Sequence, residues 1–116
     1  MLVIVSIVLF ALAAVGGLTI VALYKRGKLS LPLALGHGAL AAAGLIVLIV
    51  AAAQGQTTML GNVALALFIV AALGGLYLIY SHLTKKRLPQ AVIGVHAGVA
   101  IVAFLVLLFS AIQSGT

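Results

Sequence analysis

The chain contains no aspartate, no glutamate and no cysteine. Without carboxylates it cannot build a Ser-His-Asp triad, a paired-carboxylate site or a carboxylate cage for Mg²⁺ or Ca²⁺. Without thiols it has no thiolate metal site, no disulfide and no c-type haem attachment. Charge of either sign is scarce: 5% of the 116 residues are charged and 66% are hydrophobic. Soluble domains average about 25% charged residues, so the composition excludes a soluble fold.

The charge that is present is all positive, and it is clustered. The six basic residues form two groups, Lys25-Arg26-Gly27-Lys28 and Lys85-Lys86-Arg87. Basic clusters can bind nucleic acid. Here each joins two apolar segments, which is the pattern of a membrane topology signal, so no nucleic-acid partner is expected. The same residues are placed to meet anionic lipid headgroups.

Four segments are long enough to cross a bilayer, which takes about 20 apolar residues. They run approximately Leu2–Tyr24, Leu31–Ala53, Val63–Leu83 and Ala91–Ile112. Backbone hydrogen bonding in lipid makes them helices, and short connections make neighbours antiparallel. The expected fold is an all-α integral membrane protein, a four-helix transmembrane up-down bundle forming one domain over residues 1–116. Basic residues occur only in the first and third connections, so loops 25–30 and 84–90 are expected in the cytoplasm and both termini outside. A prokaryotic inner membrane is the expected location. The start lacks a basic n-region, so the first span is expected to be retained rather than cleaved.

The two halves, approximately 1–57 and 58–116, read as a duplicated helical hairpin. At an offset of 58, Phe10, Gly16 and Gly17 meet Phe68, Gly74 and Gly75; at 59, His37, Gln54 and Thr57 meet His96, Gln113 and Thr116. Leu, Val and Ala matches are cheap in such a composition, whereas these are not. Both copies share one orientation, so a pseudo-twofold axis along the membrane normal is expected.

The duplicated histidines carry the chemistry. A titratable ring at membrane depth is expensive to keep and marks a functional site by default. In an up-down bundle helices two and four lie on a diagonal, so His37 and His96 lie at equal depth and, if they point inward, face each other. With neighbouring helices 8–10 Å apart, a square bundle has a diagonal of roughly 11–14 Å. That span is expected to be wide for one bare metal ion and suited to a flat disc with a central iron. One b-type haem, with His37 and His96 as axial ligands, is the cofactor so implied. Counting residues from the basic loops puts Gly16, Gly17, Gly74 and Gly75 level with the histidines. They are expected to clear the porphyrin edges, with Gly36, Gly38, Gly94 and Gly98 leaving room beside the ligands. Small residues are also ordinary helix-packing positions in membranes, and a membrane histidine often only bonds a neighbouring helix. Propionates, if present, would find cations in Lys25, Arg26, Lys28, Lys85, Lys86 and Arg87.

Tyr24 and His82 correspond in the repeat, so His82 has no symmetric histidine partner. It reads as an interfacial polar residue, with a propionate contact or a proton relay as the functional alternative. Tyr24, Tyr77 and Tyr80 fit an interfacial aromatic belt; Tyr77 and Tyr80 would otherwise border a haem edge or a quinone headgroup. Gln54, Gln113, Thr57 and Thr116 read as polar caps at the opposite end. Pro32 and Pro89 sit at helix starts, where proline is tolerated.

With His37 and His96 on separate helices and glycine at their level, the chain resembles the small four-helix membrane cytochromes b of the cytochrome b561 type. The resemblance is of plan over the whole chain. It implies axial ligation by His37 and His96, with Gly17 and Gly75 as clearance positions. Cytochromes b561 hold two haems on four ligands; three histidines in all support one bis-histidine haem here. The expected function is one-electron transfer with a quinol or a protein partner, either as an oxidoreductase or as a relay. Two other classes stand beside it. One is a small transporter or channel for protons or anions, lined by the histidines. The other is an accessory or structural subunit of a larger membrane complex.

Overall fold

The computed structural model describes residues 1–114, so Thr116, the repeat partner of Thr57, lies outside the described residues. Four helices follow one another: α1 Leu2–Lys25, α2 Leu31–Ala53, α3 Met59–Leu83 and α4 Gln90–Gln113. Each is long and apolar enough to cross a membrane. At about 1.5 Å per residue, helices of 23 to 25 residues span the roughly 30 Å hydrocarbon core. The bundle is elongated, measuring 43 × 22 × 20 Å.

Local chemistry sets the helix ends. Ser30 Oγ accepts from the Leu33 amide at 3.3 Å and starts α2, with Pro32 in the first turn. Thr58 Oγ1 accepts from the Gly61 amide at 3.1 Å and starts α3. Helix α3 therefore begins four residues before the expected Val63, because a cap, and not the first apolar residue, decides where a helix begins. Helices α1, α2 and α3 end alike. A residue at positive φ follows the cap, and the next amide reaches back to a carbonyl of the last turn. Gly27 (φ 73) and Gly55 (φ 70) hold that position after α1 and α2; after α3 it falls to Lys85 (φ 58).

The helices pair as two tight hairpins, α1 with α2 and α3 with α4. The hairpins meet more sparingly, through α2 with α3 and α1 with α4. This is the up-down bundle, with α1/α3 and α2/α4 on the diagonals. The core holds Phe10, Leu48, Ala64, Phe68, Ala103 and Leu107, residues at or close to repeat-related positions. At its centre the Phe10 and Phe68 rings stack across the α1/α3 diagonal, 3.7 Å between centroids and 2° from parallel.

Burial is uneven along the bundle. Buried residues lie from Ser6 to Ala13 on α1, Gly44 to Ala51 on α2, Gly61 to Ala71 on α3 and Ala103 to Ala111 on α4. All of these belong to the half that ends at loop 54–58. In the half that ends at the basic loops, only Ser81 of α3 and Leu88 of the last connection are buried. The hairpins are thus cemented at one end and loosely apposed at the other.

Candidate functional site

The two histidines stand at the boundary between those halves. His37 leans from α2 onto α1, and its Nδ1 lies 2.6 Å from the Ala13 carbonyl oxygen. His96 leans from α4 onto α3, and its Nδ1 lies 2.6 Å from the Ala71 carbonyl oxygen. A carbonyl only accepts, so in each case Nδ1 carries the proton and donates. In a neutral ring that tautomer leaves the lone pair on Nε2. Such a second bond is how metal-ligating histidines are usually oriented.

The glycine pairs make this geometry possible. A Cβ on Gly17 would sit 3.0 Å from His37 Cε1, and one on Gly75 would sit 3.1 Å from His96 Cε1. Gly16 and Gly74 face the Cβ atoms of the same histidines at 3.5 and 3.3 Å. Gly17 lies one helical turn beyond Ala13, and Gly75 one turn beyond Ala71. Missing side chains there let an imidazole lie against the neighbouring backbone and reach the carbonyl. The space these glycines keep clear is filled by the histidine rings of their own hairpin. Clearance of a porphyrin edge is therefore not the use that the packing shows.

Across the α2/α4 diagonal the two rings approach to 6.2 Å between centroids, with their planes at 88°. Both point inward, the condition that the repeat left open. Their separation corrects the expectation that the diagonal is wide for one metal. The axes lie on a diagonal, but each histidine extends toward the centre and closes most of the gap. Metal–imidazole bonds are about 2.0 Å and a ring nitrogen lies about 1.1 Å from its centroid, so two imidazoles in line on one metal have centroids roughly 6 Å apart.

Neither Nε2 has a hydrogen-bond partner among the described residues. Neither is sealed, because no fully buried side-chain nitrogen or oxygen there lacks a partner. With neutral rings the site offers two nitrogen donors with free lone pairs. No cluster of three or more His, Cys, Asp or Glu exists among the described residues, so a four-coordinate protein site such as structural zinc is not available. A groove of about 220 Å³ on the α3–α4 side, bordered by Val70, Gly74, Val95 and Val99, reaches the His96 ring.

Other candidates fall elsewhere. Gly36, Gly38, Gly94 and Gly98 are exposed, and a Cβ on any of them would meet nothing within 4 Å. They meet open space and make no contact with either ring. His82 is half-buried in the last turn of α3, away from the pair. Its repeat partner Tyr24 donates from Oη to the Leu88 carbonyl at 3.4 Å, tying α1 to the last connection. Tyr77 and Tyr80 are exposed, and Lys86 Nζ lies 5.8 Å from the Tyr80 ring centroid. All six basic side chains are exposed. At the other end Thr58 Oγ1 and Ser110 Oγ are 2.6 Å apart, while Gln54 and Gln113 are exposed.

Sequence reasoning missed the two alanine carbonyls and the ring stack. Carbonyls leave no mark in a sequence. The stack had one, the Phe10/Phe68 match of the repeat.

The geometry defines a four-helix bundle of membrane-spanning character with a two-histidine site between its two hairpins. Comparison with protein-family models, with curated proteins and with solved structures finds no match.

Proposed function

We propose that this four-span membrane protein is a b-type cytochrome, with His37 and His96 as the axial ligands of one haem. One observation carries the reading. Two imidazoles, each held by a backbone carbonyl through Nδ1, have ring centroids 6.2 Å apart with both Nε2 atoms unpartnered among the described residues. A porphyrin supplies the four remaining nitrogens, which is why two protein ligands suffice. The macrocycle would take the space between the two hairpins in the half where the helices bury almost nothing. The resemblance to cytochromes b561 points the same way.

A haem with both axial positions filled supplies one-electron transfer. The chain's part is to hold both imidazoles neutral and oriented, and to keep water from the half closed by the Phe10–Phe68 stack. The electron partner is a quinol in the bilayer or another protein. The same ring separation also suits a single soft metal ion held between two nitrogens, which is the second reading.

The test is an absorption spectrum of detergent-purified protein from haem-supplied cells, oxidised and dithionite-reduced, beside His37→Ala and His96→Ala. Narrow low-spin bands, lost in both variants, are expected. A colourless protein sinks the cytochrome reading. Retention of monovalent copper by that colourless protein, lost in the same variants, would establish the second reading.

A further inference from the structure

We infer that the basic end of the bundle is a docking face for a soluble protein with an acidic surface. As the partner of the proposed cytochrome it is a soluble electron carrier. The electron-carrying part rests on the haem reading; the docking face does not.

Three observations converge. The first is depth. His37 is six residues from the start of α2 at Leu31 and sixteen from its end at Ala53. His96 is likewise six from the start of α4 at Gln90 and seventeen from its end at Gln113. At about 1.5 Å per residue the pair lies roughly 9 Å from the basic end and roughly 25 Å from the other. The second is closure. The long side is filled by the Phe10–Phe68 stack and the buried core, while the short side holds few buried residues. The shorter path from the histidines to water therefore runs through the basic end.

The third is charge. All six cations sit on the two loops of that end, all are exposed, and no acidic side chain exists anywhere in the chain to neutralise them. They share one end of a bundle whose cross-section is 22 × 20 Å. Lys86 Nζ, 5.8 Å from the exposed Tyr80 ring, adds an aromatic to the patch. Unscreened like charges at that density raise the association rate of an oppositely charged partner by 10- to 1,000-fold, an effect that salt removes. A soluble acidic partner meets all three conditions. A lipid-phase donor meets the depth condition but has no use for an aqueous patch.

The test uses the full chain in nanodiscs, where both faces are open to solution. Poly-L-glutamate serves as the acidic probe. Binding is measured in neutral phosphatidylcholine discs and in discs containing phosphatidylglycerol, from 20 to 500 mM salt. Binding in both lipids is expected, weakened by roughly tenfold or more across the salt range. A quadruple variant, Lys25→Gln, Lys28→Gln, Lys85→Gln and Lys86→Gln, should lose it. Binding abolished by phosphatidylglycerol would overturn the inference, because lipid headgroups would then own the loops. Binding that ignores salt, or that survives in the variant, would overturn it too. Where haem is present, salt should slow reduction by an anionic iron complex and quicken reduction by a cationic ruthenium complex. Equal salt responses would remove the electron-carrier part. A colourless protein that binds the probe as expected would fell the haem reading and leave the docking face standing.

Discussion

Phe10 and Phe68 stack face to face at 3.7 Å, one helical turn from the carbonyls of Ala13 and Ala71 that hold His37 and His96. The stack joins the two hairpins on the axis just beneath the histidines, so it sets how far apart the hairpins stand at the site.

Phe10→Ala or Phe68→Ala therefore loosens the bundle at its centre. Truncating a buried phenylalanine costs about 3–5 kcal/mol in soluble cores. The lower figure is expected here, since lipid contributes no hydrophobic drive between helices. Unfolding in mixed micelles would report it. Full stability in both variants would remove the stack from the list of forces joining the hairpins.

Gly17→Ala and Gly75→Ala press a methyl group onto an imidazole that lies 3.0 or 3.1 Å from the new atom. Each is expected to destabilise by about 1–3 kcal/mol and to displace the Nδ1 hydrogen bond. Nitrogen NMR of labelled histidine would show the tautomer lock weakened in the mutated half alone. Gly36→Ala and Gly94→Ala, which meet open space, are the controls and should leave both histidines unchanged.

Lys85 occupies the left-handed position that Gly27 and Gly55 fill after α1 and α2. A side chain there costs about 1–2 kcal/mol. Lys85→Gly should recover roughly 1 kcal/mol, read as a raised unfolding midpoint. Gly27→Lys should lose a similar amount, and an unchanged midpoint in both would contradict the assignment.

Thr58 caps α3 and meets Ser110 Oγ at 2.6 Å. Thr58→Ala removes both contacts, and about 1 kcal/mol of stability is expected to go with them. Thr58→Ser should restore most of it, as a thermal melt would show.

The spans were legible because each helix is continuously apolar, and seven of the eight helix ends fell within one residue of the observed ones. Helix α3 was the exception. Gly61 and Asn62 look like loop, yet they lie inside a helix that Thr58 starts. The histidine pair was legible through the repeat, which supplies depth and symmetry without any coordinates. The direction in which each glycine faces was not. That depends on how α1 is rotated against α2, and a composition rich in Leu, Val and Ala leaves rotation almost unmarked. Gly16 and Gly17 thus proved to serve His37, while Gly36 and Gly38, closer to it in sequence, point away.

The two hairpins share one chain, so corresponding positions need not match. Tyr24 reaches the Leu88 carbonyl, while the equivalent place on α3 carries His82. Gly44 lies under the Phe10 ring, while its counterpart on α4 is Ala103. Each difference marks one flank of the molecule and spares the other. A homodimer would have to accept every substitution twice. Here the central pair matches while the two flanks of the bundle differ.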